Sequence, residues 1–280
     1  MNGKNLEIFD VSKYETLNEV EKDLLNLINK NPYALLDHDI ITASKMLYSS
    51  KSSISRLSKK LGFTHLIDMK LFMRANIALH QLYDVKKENN TENRINNLKA
   101  YNIYAINETL TSIDIRTINN LVRDIKNSHC VFCFGLGSSF LPAYELSCNL
   151  MKLGINSFVK TDIHNMQLSL TRSRPNNLLI IFSKSGIGKE ISFLLKICKE
   201  LKIDVAIVTA NREKLDVKYK ILLTDLKKEK RIIATSSKIC MLIICDVIYY
   251  ELYSIDDDAD KRLDLGIELL ERWRKFSPDN

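Results

Sequence analysis

Two hydrophobic rhythms divide this chain. From residue 18 to about 80, apolar positions recur three or four apart: Val20, Leu24, Leu27 and Ile28 share one helical face, and Pro32 closes that segment. Further helices are predicted at about 39–48, 51–61 and 64–80. From residue 130 onward, the strand-like runs CVFCF, SFVKT, NLLIIF, VAIVT and YKILLT alternate with helical stretches at about 141–153, 163–171, 189–201 and 238–253. Such alternation specifies a parallel sheet with right-handed crossovers and helices on its faces. Between the two regions, ten of the twelve residues 86–97 are Asn or charged, which predicts an exposed linker or loosely held turn with little to bury. A helix near Asp114, with Ile115, Ile118, Leu121, Val122 and Ile125 on one face, leads into the second region. The expected organisation is a helical domain at 1–84, a linker and connecting helix at 85–113, and an α/β domain at 114–280 ending in a helix through Trp273.

Length and composition agree with two globular domains: 280 residues, 45% hydrophobic and 27% charged. No apolar run reaches the ~18 residues of a membrane span. Residues 239–250 come nearest, but Asp246 interrupts them and they suit a buried helix. The opening MNGKNLEIFD lacks the basic-then-apolar layout of a signal peptide, so a cytoplasmic protein is expected. The six cysteines lie scattered in apolar segments, as reduced thiols would. Cys130 and Cys133 have CxxC spacing, yet within a strand residues three apart face opposite sides, so no metal site is expected there.

Charge is distributed unevenly. Residues 1–41 hold four Lys against eight Asp or Glu, whereas residues 42–80 hold five Lys and two Arg against Asp68 alone. That basic block is an electrostatic footprint for a polyanion. Within it, residues 39–63 read as a short helix, a tight turn near Tyr48–Ser50, and a second helix with Ile54, Leu57 and Leu61 facing inward. Its other positions, Lys51, Ser52, Ser53, Ser55, Arg56, Lys59 and Lys60, together with the capping Ser50, form the candidate DNA-binding set, because the second helix of a helix-turn-helix lies in the major groove. A solvated basic helix face is the plainer alternative.

The chain has only eight glycines, and four of them fall in two loops that follow strand-like runs: Gly135-Leu136-Gly137-Ser138-Ser139 and Ser183-Lys184-Ser185-Gly186-Ile187-Gly188. Each joins a strand to a helix, directing free backbone N–H groups, the positive helix end and Ser hydroxyls to one place, which suits a phosphate monoester. A dinucleotide fold is the nearest rival, with Asp162 available for a ribose, but Phe140 occupies its third glycine position.

The run SSKSSISRLSKKLGF resembles the N-terminal helix-turn-helix of RpiR/MurR-type bacterial regulators, with Ser50, Arg56, Lys60, Leu61, Gly62 and Phe63 in the matching places and Tyr48 and Ser49 departing from it. Residues of about 129–253 resemble a SIS (sugar isomerase) domain, which such regulators carry as effector sensor. The resemblance implies an α/β protein with an all-α DNA-binding domain before a parallel sheet flanked by helices. It also implies that Gly137, Ser138, Ser139, Ser183, Lys184, Ser185 and Gly186 bind a sugar phosphate, with Ser236 as a further polar contact or, equally, a helix cap alongside Ser237. The family commonly has Thr where this chain has Gly188, so one hydroxyl is missing. The expected partners are a double-stranded DNA operator and a sugar-phosphate effector, with a homodimer or dimer of dimers and no membrane. No catalytic residue, metal or cofactor is expected, although Glu190, Glu251 and His164 are the groups an isomerase or etherase would use as base. A regulator that has lost its effector is the other alternative.

Overall fold

A computed structural model describes residues 8–83, 90–171, 176–224 and 236–276. The chain divides into two units, Met1–Tyr104 and Ala105–Asn280.

In the first unit, α1 (Glu19–Lys30) begins at a reciprocal cap: Asn18 Oδ1 accepts from the Glu21 N–H, and the Glu21 carboxylate accepts from the Asn18 N–H. Pro32 opens α2 (Pro32–Leu36), where its missing N–H costs nothing. Asp39 caps α3 (Ile40–Met46) through the N–H groups of Ile41 and Thr42, and Ser50 caps α4 (Lys51–Lys60) through that of Ser53. The helix α5 (Leu66–Tyr83) closes the bundle. Leu25, Ile28, Leu35, Ala43, Leu47, Ile54, Leu57, Met69 and Met73 are fully buried in one core, as the helical spacing of these apolar positions requires.

The stretch read as linker is in part helical. Residues 84–89 lie outside the described residues, but α6 (Thr91–Thr111) includes 91–97 as its first two turns. Asn90 caps it by accepting from the Glu92 N–H. The composition argument holds for burial, since Ile95 remains 61% exposed, and fails for conformation because a capped helix propagates from its packed later turns. The division between the units falls inside this helix.

The second unit is a three-layer α/β sandwich. After α7 (Ile115–Asn127) the chain runs β1 (Cys130–Gly135), α8 (Phe140–Lys152), β2 (Ser157–Lys160), α9 (Ile163–Leu170), β3 (Asn177–Phe182), α10 (Lys189–Glu200), β4 (Asp204–Thr209), β5 (Tyr219–Leu222), α11 (Ser236–Ser254) and α12 (Ala259–Lys275). All strand pairs are parallel, in the order β2-β1-β3-β4-β5. Alternation along the strands builds two cores. Val131, Cys133, Leu178, Ile180, Ala206 and Val208 face α7, α8 and α11, while Phe132, Phe134, Leu179, Ile181 and Ile207 face α9 and α10. Cys130 and Cys133 accordingly sit on opposite faces, and burial pushes their thiols up to about 11 and about 12, which keeps both protonated. At the amino ends of β4 and β5, the Asp124 carboxylate accepts from the Tyr219 hydroxyl at 2.7 Å and pairs with Lys218 at 2.7 Å, tying α7 to the sheet edge.

The turn between α3 and α4 departs from what an L-residue favours: Tyr48 has φ +48°, in the left-handed region. That conformation costs a residue bearing a Cβ about 1–2 kcal/mol. Its side chain is 91% exposed and returns no packing within the unit. Tyr48→Gly is expected to raise stability by about 0.5–1 kcal/mol, net of the extra chain entropy glycine loses, read as a higher urea midpoint with unchanged slope.

Candidate functional site

Two groups of residues are set apart by geometry, one in each unit.

In the first unit, α3, the four-residue turn Leu47–Ser50 and α4 form a helix-turn-helix. Ile54 and Leu57 are buried, Leu61 nearly so, and the opposite face of α4 exposes Lys51, Ser52, Arg56, Lys59 and Lys60, with Ser53 and Ser55 half-buried. Ser50 is committed to structure: its Oγ accepts from the Ser53 N–H at 3.0 Å and lies 2.8 Å from the Ser52 and Ser53 hydroxyls. Lys60 is also engaged, donating to the Glu21 carboxylate at 2.8 Å, and this holds that carboxyl below its usual range. Glu21 went unnoticed in the sequence because it lies 39 positions from Lys60. Lys51, Arg56 and Lys59 therefore carry the available positive charge of the face, and Arg56 Nε donates to the Ser52 carbonyl at 3.4 Å.

In the second unit, β1 and β3 are neighbours at the point where the strand order reverses, and Gly135 is paired with Phe182. The next residues, Leu136 and Ser183, therefore leave the sheet side by side, and both glycine loops open into the crevice where open α/β sheets bind ligands. A Cβ on Gly135 would lie 2.1 Å from the Ser139 carbonyl oxygen, so the first loop folds back over this glycine and Gly137–Ser139 form a 3-10 turn leading into α8. The second loop is pinned to the end of β4. The Lys184 carbonyl accepts from the Ala210 N–H at 2.9 Å and from the Thr209 hydroxyl at 3.1 Å. Thr209, fully buried and without a motif to mark it, was missed from the sequence; the only signal was a hydroxyl ending the run VAIVT.

The hydroxyls of these loops differ in their engagement. Ser183 Oγ accepts from the Gly186 N–H at 3.2 Å, and Ser185 Oγ donates to the Ile187 carbonyl at 2.9 Å, so both shape the second loop. Ser138, exposed, and Ser139, half-buried, make no side-chain hydrogen bond to any described residue. The helices differ too. Asp114 caps α7 and Asp162 caps α9, whereas α8 and α10, which follow the two loops, have no side-chain cap. The positive ends of both helices are left for an outside acceptor, with leading N–H groups at α10, whereas at α8 the 3-10 turn takes the Ser139 and Phe140 N–H groups and Pro142 has none. Asp162, considered above for a ribose, is spent on the Asn165 N–H and side-chain amide, which lower its carboxyl. His164 is exposed in the first turn of α9, and the side chain of Ser236, which opens α11, lies outside the described residues.

Gly188 changes more than a hydroxyl. At φ +134° and ψ 156° it occupies a region open essentially to glycine alone. A threonine there would force the entry to α10 into another path.

With this geometry in view, the known proteins fall into line. An uncharacterised HTH-type transcriptional regulator of Thermotoga maritima is 28% identical over 259 residues, covering 90% of this chain and 92% of its own. The NanR protein of Vibrio vulnificus, solved in complex with ManNAc-6P, superposes with a TM-score of 0.61 at 17% identity, over 96% of this chain and 99% of that one. The chain shares the fold of that structure, a helix-turn-helix unit followed by a parallel α/β unit. The sugar isomerase domain of the RpiR transcription factor from Sphaerobacter thermophilus is also similar, with a TM-score of 0.55 at 18% identity over 62% of this chain and 96% of that one. No protein-family model matches the chain. Among the described residues no helix is long and apolar enough to cross a membrane, and no His, Cys, Asp and Glu cluster could hold a metal.

A Cβ on Gly186 (φ +63°) would lie 2.8 Å from Thr209 Oγ1, adding a clash to an unfavourable backbone. Gly186→Ala is expected to destabilise the second unit by roughly 2–3 kcal/mol, seen as a lower urea midpoint, because the contact is to a buried, hydrogen-bonded group.

Proposed function

We propose that this protein is a cytoplasmic transcriptional regulator that binds operator DNA through α4 and senses a sugar phosphate at the loops following β1 and β3, without catalysing a reaction on it. The observation that carries the sensor reading is the pairing of Gly135 with Phe182, which sets two uncapped helix entries and the Ser138 and Ser139 hydroxyls around one crevice. Backbone N–H groups and hydroxyls arranged in this way recognise phosphate oxygens, and the half-buried Lys184 adds charge. The exposed Leu136 and Ile187 flank these donors and give the sugar an apolar border.

The DNA-binding reading rests on α4. Lys51, Arg56 and Lys59 are directed away from the core, with Ser52, Ser53 and Ser55 among them, and Lys60 contributes from its tether to Glu21. Basic side chains there meet phosphates while those of the first turns reach base edges. A palindromic operator then calls for a dimer. Regulation follows from linkage: an effector that favours one arrangement of the paired DNA-binding units must itself bind tighter or weaker when DNA is present. Glu190 requires no catalytic role, because a carboxylate in the first turn of α10 is favoured by the helix dipole.

Fluorescence anisotropy on DNA from upstream of its own and neighbouring sugar genes, at fixed salt and with a panel of hexose and amino-sugar phosphates, tests this reading. Arg56→Ala is expected to weaken operator binding roughly tenfold while leaving effector affinity unchanged. Ser138→Ala is expected to weaken effector binding about tenfold while leaving effector-free DNA affinity unchanged, since its hydroxyl is not needed by the loop. Absence of sequence-selective binding on any of these DNAs would overturn the regulator reading, and isomerase or etherase turnover of the same sugar phosphates would replace it.

A further inference from the structure

The last helix of the chain is anchored at one end and bare along the rest. Ala259 is buried, the Arg262 guanidinium pairs with Asp256, and its stem lies against Gly154, where an added Cβ would stand 3.0 Å from Arg262 Cδ. Beyond this root, every residue from Asp264 to Phe276 is exposed. The exposed part is not polar: Leu265, Ile267, Leu269, Leu270, Trp273 and Phe276 are each at least 53% exposed. At 100° per residue they and Leu263 fall on one broad face, with Asp264, Glu268, Glu271 and Lys275 on the other. A helix of 17 residues, about 25 Å long, does not keep six large apolar side chains in water without a partner.

The same unit carries a face of matching character on α8 and α11. Leu141 and Tyr144 are half-exposed one turn apart on α8, and Tyr250 is 68% exposed on α11. Among them stand two carboxylates, Glu145 and Asp246, which have no ion partner among the described residues. Burial, and after it the nearby Glu145 charge, raises the Asp246 carboxyl. The last turn of α12 carries Arg272, Arg274 and Lys275; Arg272 pairs with Glu268, while Arg274, which falls within the apolar face, has no ion partner among the described residues. An unpartnered acidic and aromatic face and an unpartnered apolar helix with a basic tip are complementary, and the root of α12 packs on α8 of its own chain.

We infer that the apolar face of α12 from one copy of this chain docks on the α8–α11 face of a second copy, with Arg274 against Glu145 and Asp246, and that the exchange is mutual across a two-fold axis. A mutual exchange buries the same patch twice and closes as a dimer. It deepens the function proposed above by naming the surface that pairs the subunits, but it rests on α12, α8 and α11 alone. The test therefore uses neither DNA nor effector, and its failure leaves the operator and sensor readings to their own experiment.

The chain contains one tryptophan, and it lies on this face. Analytical ultracentrifugation of the full chain across a dilution series, read beside Trp273 emission and iodide quenching, is expected to show a mass of two chains with Trp273 shielded. On dilution, emission should shift to longer wavelength in step with dissociation. Leu270→Asp, at an exposed position that leaves the fold intact by circular dichroism, is expected to weaken the dimer at least tenfold. The pair Glu145→Lys and Asp246→Lys is expected to weaken it roughly tenfold, and adding Arg274→Glu in the same chain to restore part of the loss. A monomer at every concentration, or a dimer with Trp273 open to iodide, overturns the inference. So does Trp273 shielding that persists where the chain is monomeric, or a dimer indifferent to reversal at positions 145 and 246, the result expected if two copies of α12 paired with each other.

Discussion

The hydrogen-bonded register of β1 on β3 is the constraint from which the rest of the second unit follows. It sets Gly135 beside Phe182, and the first loop must then turn back within 2.1 Å of where a Cβ on Gly135 would stand. Only glycine permits that approach, and it brings the Gly137–Ser139 turn and the start of α8 over the end of the sheet. The second loop leaves from the adjacent strand and is held down by the buried Thr209 through the Lys184 carbonyl. A slip of one residue in this pairing would separate the loops and turn each strand's core side chains to the wrong face.

The two cores on either side of the sheet make that register hard to slip. Residues of alternating direction in three adjacent central strands fill both, so the sheet is fixed from above and below rather than by its hydrogen bonds alone. Against such a frame the loops need few internal bonds, and the hydroxyls divide the work. Ser183 and Ser185 close the second loop on itself, whereas Ser138 and Ser139 keep their hydroxyls unengaged by other described residues. In the sensor role proposed above, donors fixed in this way would be in place before an anion arrives, which lowers the cost of ordering on binding.

In the first unit a different economy applies. The caps at Asn18, Asp39 and Ser50 start three short helices that could not persist alone, and the common core of Leu25, Ile28, Leu47, Ile54 and Leu57 supplies the rest. The price of the tight turn is the left-handed Tyr48, and it is accepted because Leu47 on one side is buried and Ser50 on the other must begin α4. The ion pair between Lys60 and Glu21 adds a tie between α4 and α1 while removing one cation from the exposed face.

Much of this was legible in order of residues. Among the described residues, the period of apolar positions marked ten helical and five strand segments nearly to their ends but not the short α2, the scarcity of glycine marked both loops, and the polar face of α4 followed from Ile54, Leu57 and Leu61 facing the other way. Local sequence is enough for these because caps, periodicity and turn chemistry act over a few residues. Strand order, the pairing of Gly135 with Phe182, the burial of Thr209 under Lys184 and the capture of Lys60 by Glu21 were decided by contacts among residues far apart in the chain. The helical start of α6 and the conformation of Gly188 belong with them. A polar composition says that a segment will be exposed, and a glycine says that its backbone is free, but only the packing of neighbouring elements selects the conformation each one takes.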